Sequence, residues 1–302
     1  MFKRIAMFLS FFLLSISFAH AKVIHQERSL YRNILVEDNN DLRCLKFNVK
    51  SNQTQQSCFL KSQPQKLVFN YTKLLMTSLL FNDEPKRILI VGLGGGTMSN
   101  ILGQLYPQSK IDNIEIDPAV IKVARNYFGF LENDRVTTYT QDGRIFIKRA
   151  LLKKQTYDWI ILDAFNGDYI PEHLMTKEFL QEAKNLLSEN GILSSNTFSL
   201  SELYAHESAT YKAVFGDFYQ ASNRANSNRI IIVSKNDFAN NNLYNSRNEE
   251  NIDKLDEQLS VYDVDIKLLH RSIKNTKSQQ SWPENTRVLT DQFSPANLLN
   301  TN

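Results

Sequence analysis

The sequence predicts an α/β protein, a Rossmann-like domain over residues 70–235 behind a small β-hairpin domain over 22–69. Two observations predict it. From Arg87 to Ser234 the apolar pattern alternates between strand-like and helix-like runs, as right-handed βαβ units and a parallel sheet covered on both faces require. The first strand of the series then runs into Gly92-Leu93-Gly94-Gly95-Gly96-Thr97, a glycine turn that opens a helix.

In chain order, the first element is a leader. Lys3 and Arg4 precede an apolar run over 5–18, followed by Ala19-His20-Ala21 with small residues at the cleavage positions, so residues 1–21 read as a secretory signal. The apolar run is short for a membrane span, which needs ~20 residues, and no stable span is expected. If the leader stays uncleaved, the basic residues ahead of it still leave the following domain on the far side. Export to the periplasm or medium is the expectation, a cytoplasmic chain the alternative.

Residues 22–69 carry short β-type runs with polar turns. A hairpin folded about Ser51 sets Cys44 opposite Cys58, and a bridge there would stabilise by about 3 kcal/mol. The alternative is two buried free thiols, which an oxidising compartment disfavours. A helix over 71–81 leads to the boundary Asp83-Glu84-Pro85. Strands are then expected at 87–91, 110–116, 135–139, 157–162 and 191–195, with helices between them, and two closing strands at 217–221 and 229–234 after a helix over 201–215. Residues 236–302 read as a polar loop, a helix and an irregular tail.

Composition excludes several classes. The 302 residues are 42% hydrophobic and 22% charged with a net charge of +3, the make-up of a globular protein with no basic stripe for nucleic acid. The cluster Lys148, Arg149, Lys153 and Lys154 falls at helical spacing near a helix end, where it favours the dipole. His25, His173, His206 and His270 lack metal-ligand spacing, so no metal is expected, and no serine sits in a nucleophile elbow. His173, in the loop after Asp163, reads as a surface or satisfied residue.

The chemistry gathers at strand ends. Glycines at the first turn let a ligand approach a helix N-terminus, though such glycines also serve turns alone. Glu115 ends the next strand about twenty residues on, where a carboxylate can accept from both ribose hydroxyls. Asp142 ends the third strand and Asp163 the fourth, so polar groups recur on one edge of the sheet, in register for a nucleoside. For each acid the plainer role is a helix N-cap, and Asp142 suits that role best.

Together the glycine loop, Glu115-Ile116-Asp117-Pro118, Asp142-Gly143, Asp163 and the late Leu289-Thr290-Asp291-Gln292-Phe293-Ser294-Pro295 resemble the spermidine synthase-like (polyamine aminopropyltransferase) family. The resemblance covers most of the chain after the leader, including Gln56-Ser57. It implies a seven-stranded methyltransferase-type sheet behind a small β domain, with decarboxylated S-adenosylmethionine or S-adenosylmethionine itself as co-substrate and a small amine as acceptor; a homodimer is compatible with it. It implies that Gly92, Gly94, Gly95 and Gly96 cradle the donor, that Glu115 holds the ribose and Asp142 the adenine amino group, and that Asp163 orients and deprotonates the attacking amine, with Tyr71 on the acceptor side, where Asp168, displaced by two positions, could replace a missing family carboxylate.

The chain departs from that pattern where charge matters. Gly94 stands where these enzymes carry an aspartate, Asp163-Ala164-Phe165-Asn166-Gly167 replaces their Asp-Ser-Ser-Asp-Pro, and Thr72-Lys73 follows Tyr71. A diamine is a dication whose burial calls for carboxylates, and Lys73 would repel it if it pointed into the site. Three readings stay open: aminopropyl transfer, methyl transfer from S-adenosylmethionine, and an exported binding protein on the same fold.

Overall fold

The computed structural model describes residues 21–47, 54–165, 169–199, 202–222, 228–236, 249–276 and 280–295. The leader, the turn about Ser51, and Asn166, Gly167 and Asp168 lie outside the described residues.

The N-terminal unit is a four-stranded antiparallel sheet in the order β1 (Lys22–Arg28), β2 (Asn33–Asn39), β3 (Leu42–Phe47), β4 (Thr54–Leu60). Its alternation puts Ile34, Val36, Leu45 and Phe47 on one face, which packs on Ala119, Val120 and Val123 of the main domain. Cys44 and Cys58 are directly opposed across β3 and β4 and form a disulfide, as the hairpin register predicts.

The predicted helix over 71–81 divides into α1 (Asn70–Leu75) and a 3₁₀ segment, Met76–Leu80. Every residue of that segment is buried, and the Thr77 hydroxyl donates back to the Leu74 carbonyl at 2.6 Å within the tightened turn.

The main domain follows the alternation: β5 (Arg87–Val91), α2 (Thr97–Leu105), β6 (Lys110–Glu115), α3 (Pro118–Tyr127), β7 (Val136–Thr140), α4 (Gly143–Leu152), β8 (Tyr157–Leu162), α5 (Lys177–Leu186), β9 (Leu187–Phe198), α6 (Leu203–Phe215), β10 (Tyr219–Ser222) and β11 (Asn228–Ser234). Helix starts are chemically marked: Asp117 caps α3 with Pro118 at its first position, Asp142 caps α4, and Thr176 caps α5. After α7 (Glu249–Ser260) and α8 (Ile266–His270) comes β12 (Ile273–Asn275). The sheet order is β12-β10-β11-β9-β8-β5-β6-β7, so the seven expected strands gain an eighth, the three-residue β12 pairing antiparallel with the edge strand β10.

Alternate residues of the central strands feed two cores. Ile88, Ile90, Ile111, Trp159 and Ile161 meet α2 and the 3₁₀ segment on one face, and Leu89, Val91, Ile160 and Leu162 meet α4, α5 and α6 on the other. The C-terminal residues read as polar join both: Leu255, Leu259, Val264 and Ile266 enter the first core, Trp282 and Leu289 the second. The topology reverses direction between β5 and β8, so a crevice opens beyond their carboxyl ends.

Candidate active site

That crevice is a cleft of about 520 Å³, bounded below by the ends of β5, β6, β8 and β9 and above by β4 and the start of α1. Gly92, Gly94, Glu115, Asp142, Asp163 and Tyr71 all line it. Gly92, Glu115 and Asp163 meet, though far apart in sequence, because parallel pairing sets Val91 beside both Ile114 and Leu162.

The glycine loop divides by function. Gly92 sits at φ +100°, and a Cβ there would lie 2.3 Å from the Asp163 carbonyl oxygen, so the close approach of β5 to β8 requires glycine. Gly95 packs against Ser57 and Phe128 and Gly96 against Phe130, and neither lines the cleft. Gly94, at φ +54°, has open space: a Cβ would find Ser57 Cβ at 3.7 Å and the Gln56 carbonyl at 4.0 Å.

Glu115 is 7% exposed, one oxygen accepting from the Leu93 backbone N–H at 3.2 Å and the other from that of Asp117 at 3.0 Å. Burial raises its carboxyl above the usual range, while the Asp117 N–H, the Arg32 charge and the Leu93 N–H pull it back down. The carboxylate thus ties the glycine loop to the end of β6 and keeps lone pairs for the cleft.

Asp163 sits at the floor. One oxygen accepts from Asn196 Nδ2 at 2.9 Å and the other from the Tyr71 hydroxyl at 3.2 Å. Burial pushes its carboxyl up to about 6 despite both donors, near the pH at which a general base works best. Tyr71 is raised well above its ordinary value by burial and by the Asp163 charge, so it stays a donor. Asn196 in turn accepts from Asn228 Nδ2 at 3.0 Å.

Asp142 divides its carboxylate between two neighbours: Oδ1 caps α4 through the Ile145 N–H at 2.9 Å, and Oδ2 meets His173 Nε2 at 2.8 Å. The His173 bond holds its carboxyl below the usual range. His173, expected to be a satisfied loop residue, therefore forms part of the wall. Lys73 turns away from the cleft and pairs with Asp263, so the repulsion the sequence suggested does not arise.

Arg32, Asn196 and Asn228 line the cleft and escaped the sequence reading. The polar run Ser194-Ser195-Asn196-Thr197 after Ile192-Leu193 was the one available signal for Asn196, and nothing local marked the other two. Among the described residues no group of histidine, cysteine, aspartate and glutamate could hold a metal, and no helix is long and apolar enough to cross a membrane.

Comparison with known proteins agrees with this architecture. Residues 68–224 match the spermine/spermidine synthase domain. The chain is 44% identical over 288 residues to a polyamine aminopropyltransferase of Vibrio vulnificus, covering 94% of this chain and 93% of that one. Among solved structures, a probable spermidine synthase from Corynebacterium glutamicum superposes with a TM-score of 0.66 at 21% identity, covering 89% of this chain and 97% of that one. A spermidine synthase bound to the transition-state analogue AdoDATO gives 0.58 at 21% identity (77% and 79% covered). Human methyltransferase-like protein 13 with SAH gives 0.51 at 23% identity (74% and 95%). At these identities the structural matches speak for the fold.

Proposed function

The chain belongs to the spermine/spermidine synthase family, and from that premise we propose that it transfers an aminopropyl group from decarboxylated S-adenosylmethionine to a polyamine acceptor. The observation that carries the reading is Asp163, a carboxylate held on both oxygens at the floor of the cleft with its affinity for a proton raised toward neutrality. In this reading the glycine loop and Glu115 receive the nucleoside, and the Asp142–His173 pair borders the adenine. A neutral amine then attacks the methylene beside the sulfonium in line. The C–N bond forms, the C–S bond breaks with its electron pair moving to sulfur, and methylthioadenosine leaves while Asp163 takes the amine proton.

Incubation with decarboxylated S-adenosylmethionine and putrescine tests this. Matched appearance of methylthioadenosine and spermidine by mass spectrometry supports it; unchanged donor with a folded, methylthioadenosine-binding protein refutes it. Methyl transfer is the second reading, favoured by Gly94, whose lack of a side chain leaves the donor tail without a dedicated carboxylate.

For the compartment, we propose export with cleavage after Ala21. The leader pattern supports it, as does the Cys44–Cys58 disulfide, a bond that oxidising compartments preserve. Intact-mass analysis of extracytoplasmic material tests it, and a mature chain still starting at Met1 would refute cleavage.

A further inference from the structure

The cleft contains a buried cation that polyamine chemistry does not use. Arg32 follows the turn between β1 and β2, and its side chain is 8% exposed. The turn is fixed by Ser29, whose hydroxyl donates to Asp117 Oδ2 at 2.6 Å and accepts from the Arg32 backbone N–H at 3.0 Å. The guanidinium lies over the Phe47 ring at 4.4 Å and donates from one terminal nitrogen to the Phe165 carbonyl at 3.3 Å. It forms a buried ion pair with Asp117, at 3.6 Å from Nε, beyond hydrogen-bond distance. Asp117 is already occupied by Ser29 and by the Ala119 N–H, and Arg32 Nε is buried without any hydrogen-bond partner.

A guanidinium is a planar fork suited to a carboxylate, and burying one with a donor unmet is costly unless a ligand completes it. Its position narrows the ligand. Arg32 acts on Glu115 at the ribose end of the cleft and bonds Phe165, two residues beyond Asp163, so it spans the stretch between nucleoside and base. The amino-acid tail of a sulfonium donor would occupy that stretch. The Asp117 and Glu115 carboxylates offset part of its charge, and on the cleft side Gly94 adds no further acid.

We propose that Arg32 receives the carboxylate of S-adenosylmethionine, so that the cleft takes the intact donor as well as its decarboxylated form. This rests on the nucleoside-transfer reading above. It also enlarges the chemistry: the same in-line attack on the methylene beside sulfur would pass a 3-amino-3-carboxypropyl group to the amine. The C–N bond forms, the C–S bond breaks onto sulfur, methylthioadenosine leaves, and the amine proton passes to Asp163 and then to water. No further reactant is needed.

Titration calorimetry of the full mature chain with S-adenosylmethionine, its carboxyl methyl ester and methylthioadenosine tests the assignment. The ester should bind the native protein about tenfold or more weakly than the free acid, the scale of one hydrogen bond to a charged group. Arg32→Gln should erase that difference while leaving methylthioadenosine within about twofold, and Arg32→Lys should retain part of it. Equal binding of acid and ester to the native protein overturns the proposal, whatever the variants do. So does an Arg32→Gln loss of the same size for methylthioadenosine. Failure of the native protein to bind methylthioadenosine would instead remove the nucleoside-site reading beneath it.

Discussion

Replacing Asp163 by asparagine should abolish turnover and, above about pH 6, make the protein more stable. The carboxyl titrates near 3.8 in an unfolded chain and is pushed up to about 6 by burial in the fold. Below the lower value both states are protonated and no penalty exists. As pH rises through the window the unfolded chain releases its proton while the folded one keeps it, so folding loses up to ~1.36 kcal/mol per unit. Above about 6 the loss is complete, at most about 3 kcal/mol because the residue is only partly withdrawn from water. Asparagine escapes this penalty and keeps both contacts, its oxygen accepting from Asn196 and its amide donating to a rotated Tyr71 hydroxyl. Urea unfolding followed by Trp fluorescence, run on both proteins from about pH 4 to about pH 8, reads the difference. Glu207, raised to about 7 by burial, titrates in the same range but is common to both and cancels. A stability difference that does not vary with pH would refute the reasoning. For the proposed reaction kcat/KM should rise with pH through about 6 as Asp163 ionises, and turnover by the variant should fall by at least about 10²-fold, to below detection.

Other substitutions probe the scaffold. Gly96→Ala places a Cβ 2.5 Å from Phe130 at φ +76° and should cost about 2–4 kcal/mol in urea unfolding, whereas Gly94→Asn should cost under about 1. Cys44→Ser removes the clasp between β3 and β4 and should cost about 3 kcal/mol, read as a lower unfolding midpoint that reductant no longer shifts. Glu115→Ala should weaken methylthioadenosine by about 1.5–3 kcal/mol in calorimetry, and equal affinity for the 2′-deoxy analogue would remove Glu115 from the ribose role.

What the sequence made legible is what strand period and strand ends encode. Gly92, Glu115 and Asp163 each close a buried strand, so predicting the strands also predicted that the three meet. Asn196 was invisible because its role depends on which strand neighbours β8: only the parallel pairing of Leu162 with Ser195 brings Asn196 beside Asp163. Asn228 is further removed, reaching the site through antiparallel pairing of β11 with β9. Arg32 depends on how the small sheet docks, through Ile34, Val36 and Phe47 against α3, and no local pattern reports docking. The segment after residue 236 read as polar because its apolar positions are sparse. Ile252, Leu255 and Leu259 nevertheless share one helical stripe, which meets the first core. Lys73 shows the reverse: its place after Tyr71 suggested a charge in the cleft, but the turn of α1 points it toward Asp263.

The four glycines of the first turn have unequal prospects under mutation. Three are crowded: a Cβ would meet the Asp163 backbone at Gly92, Ser57 and Phe128 at Gly95, and Phe130 at Gly96. Gly94 has room, and its left-handed backbone is one that aspartate and asparagine tolerate. A lineage carrying this fold can therefore gain or lose a charge at the cleft wall by one codon change at residue 94, with the rest of the loop undisturbed. Change in the charge of the cleft would then be written at that position first, while its neighbours stay silent.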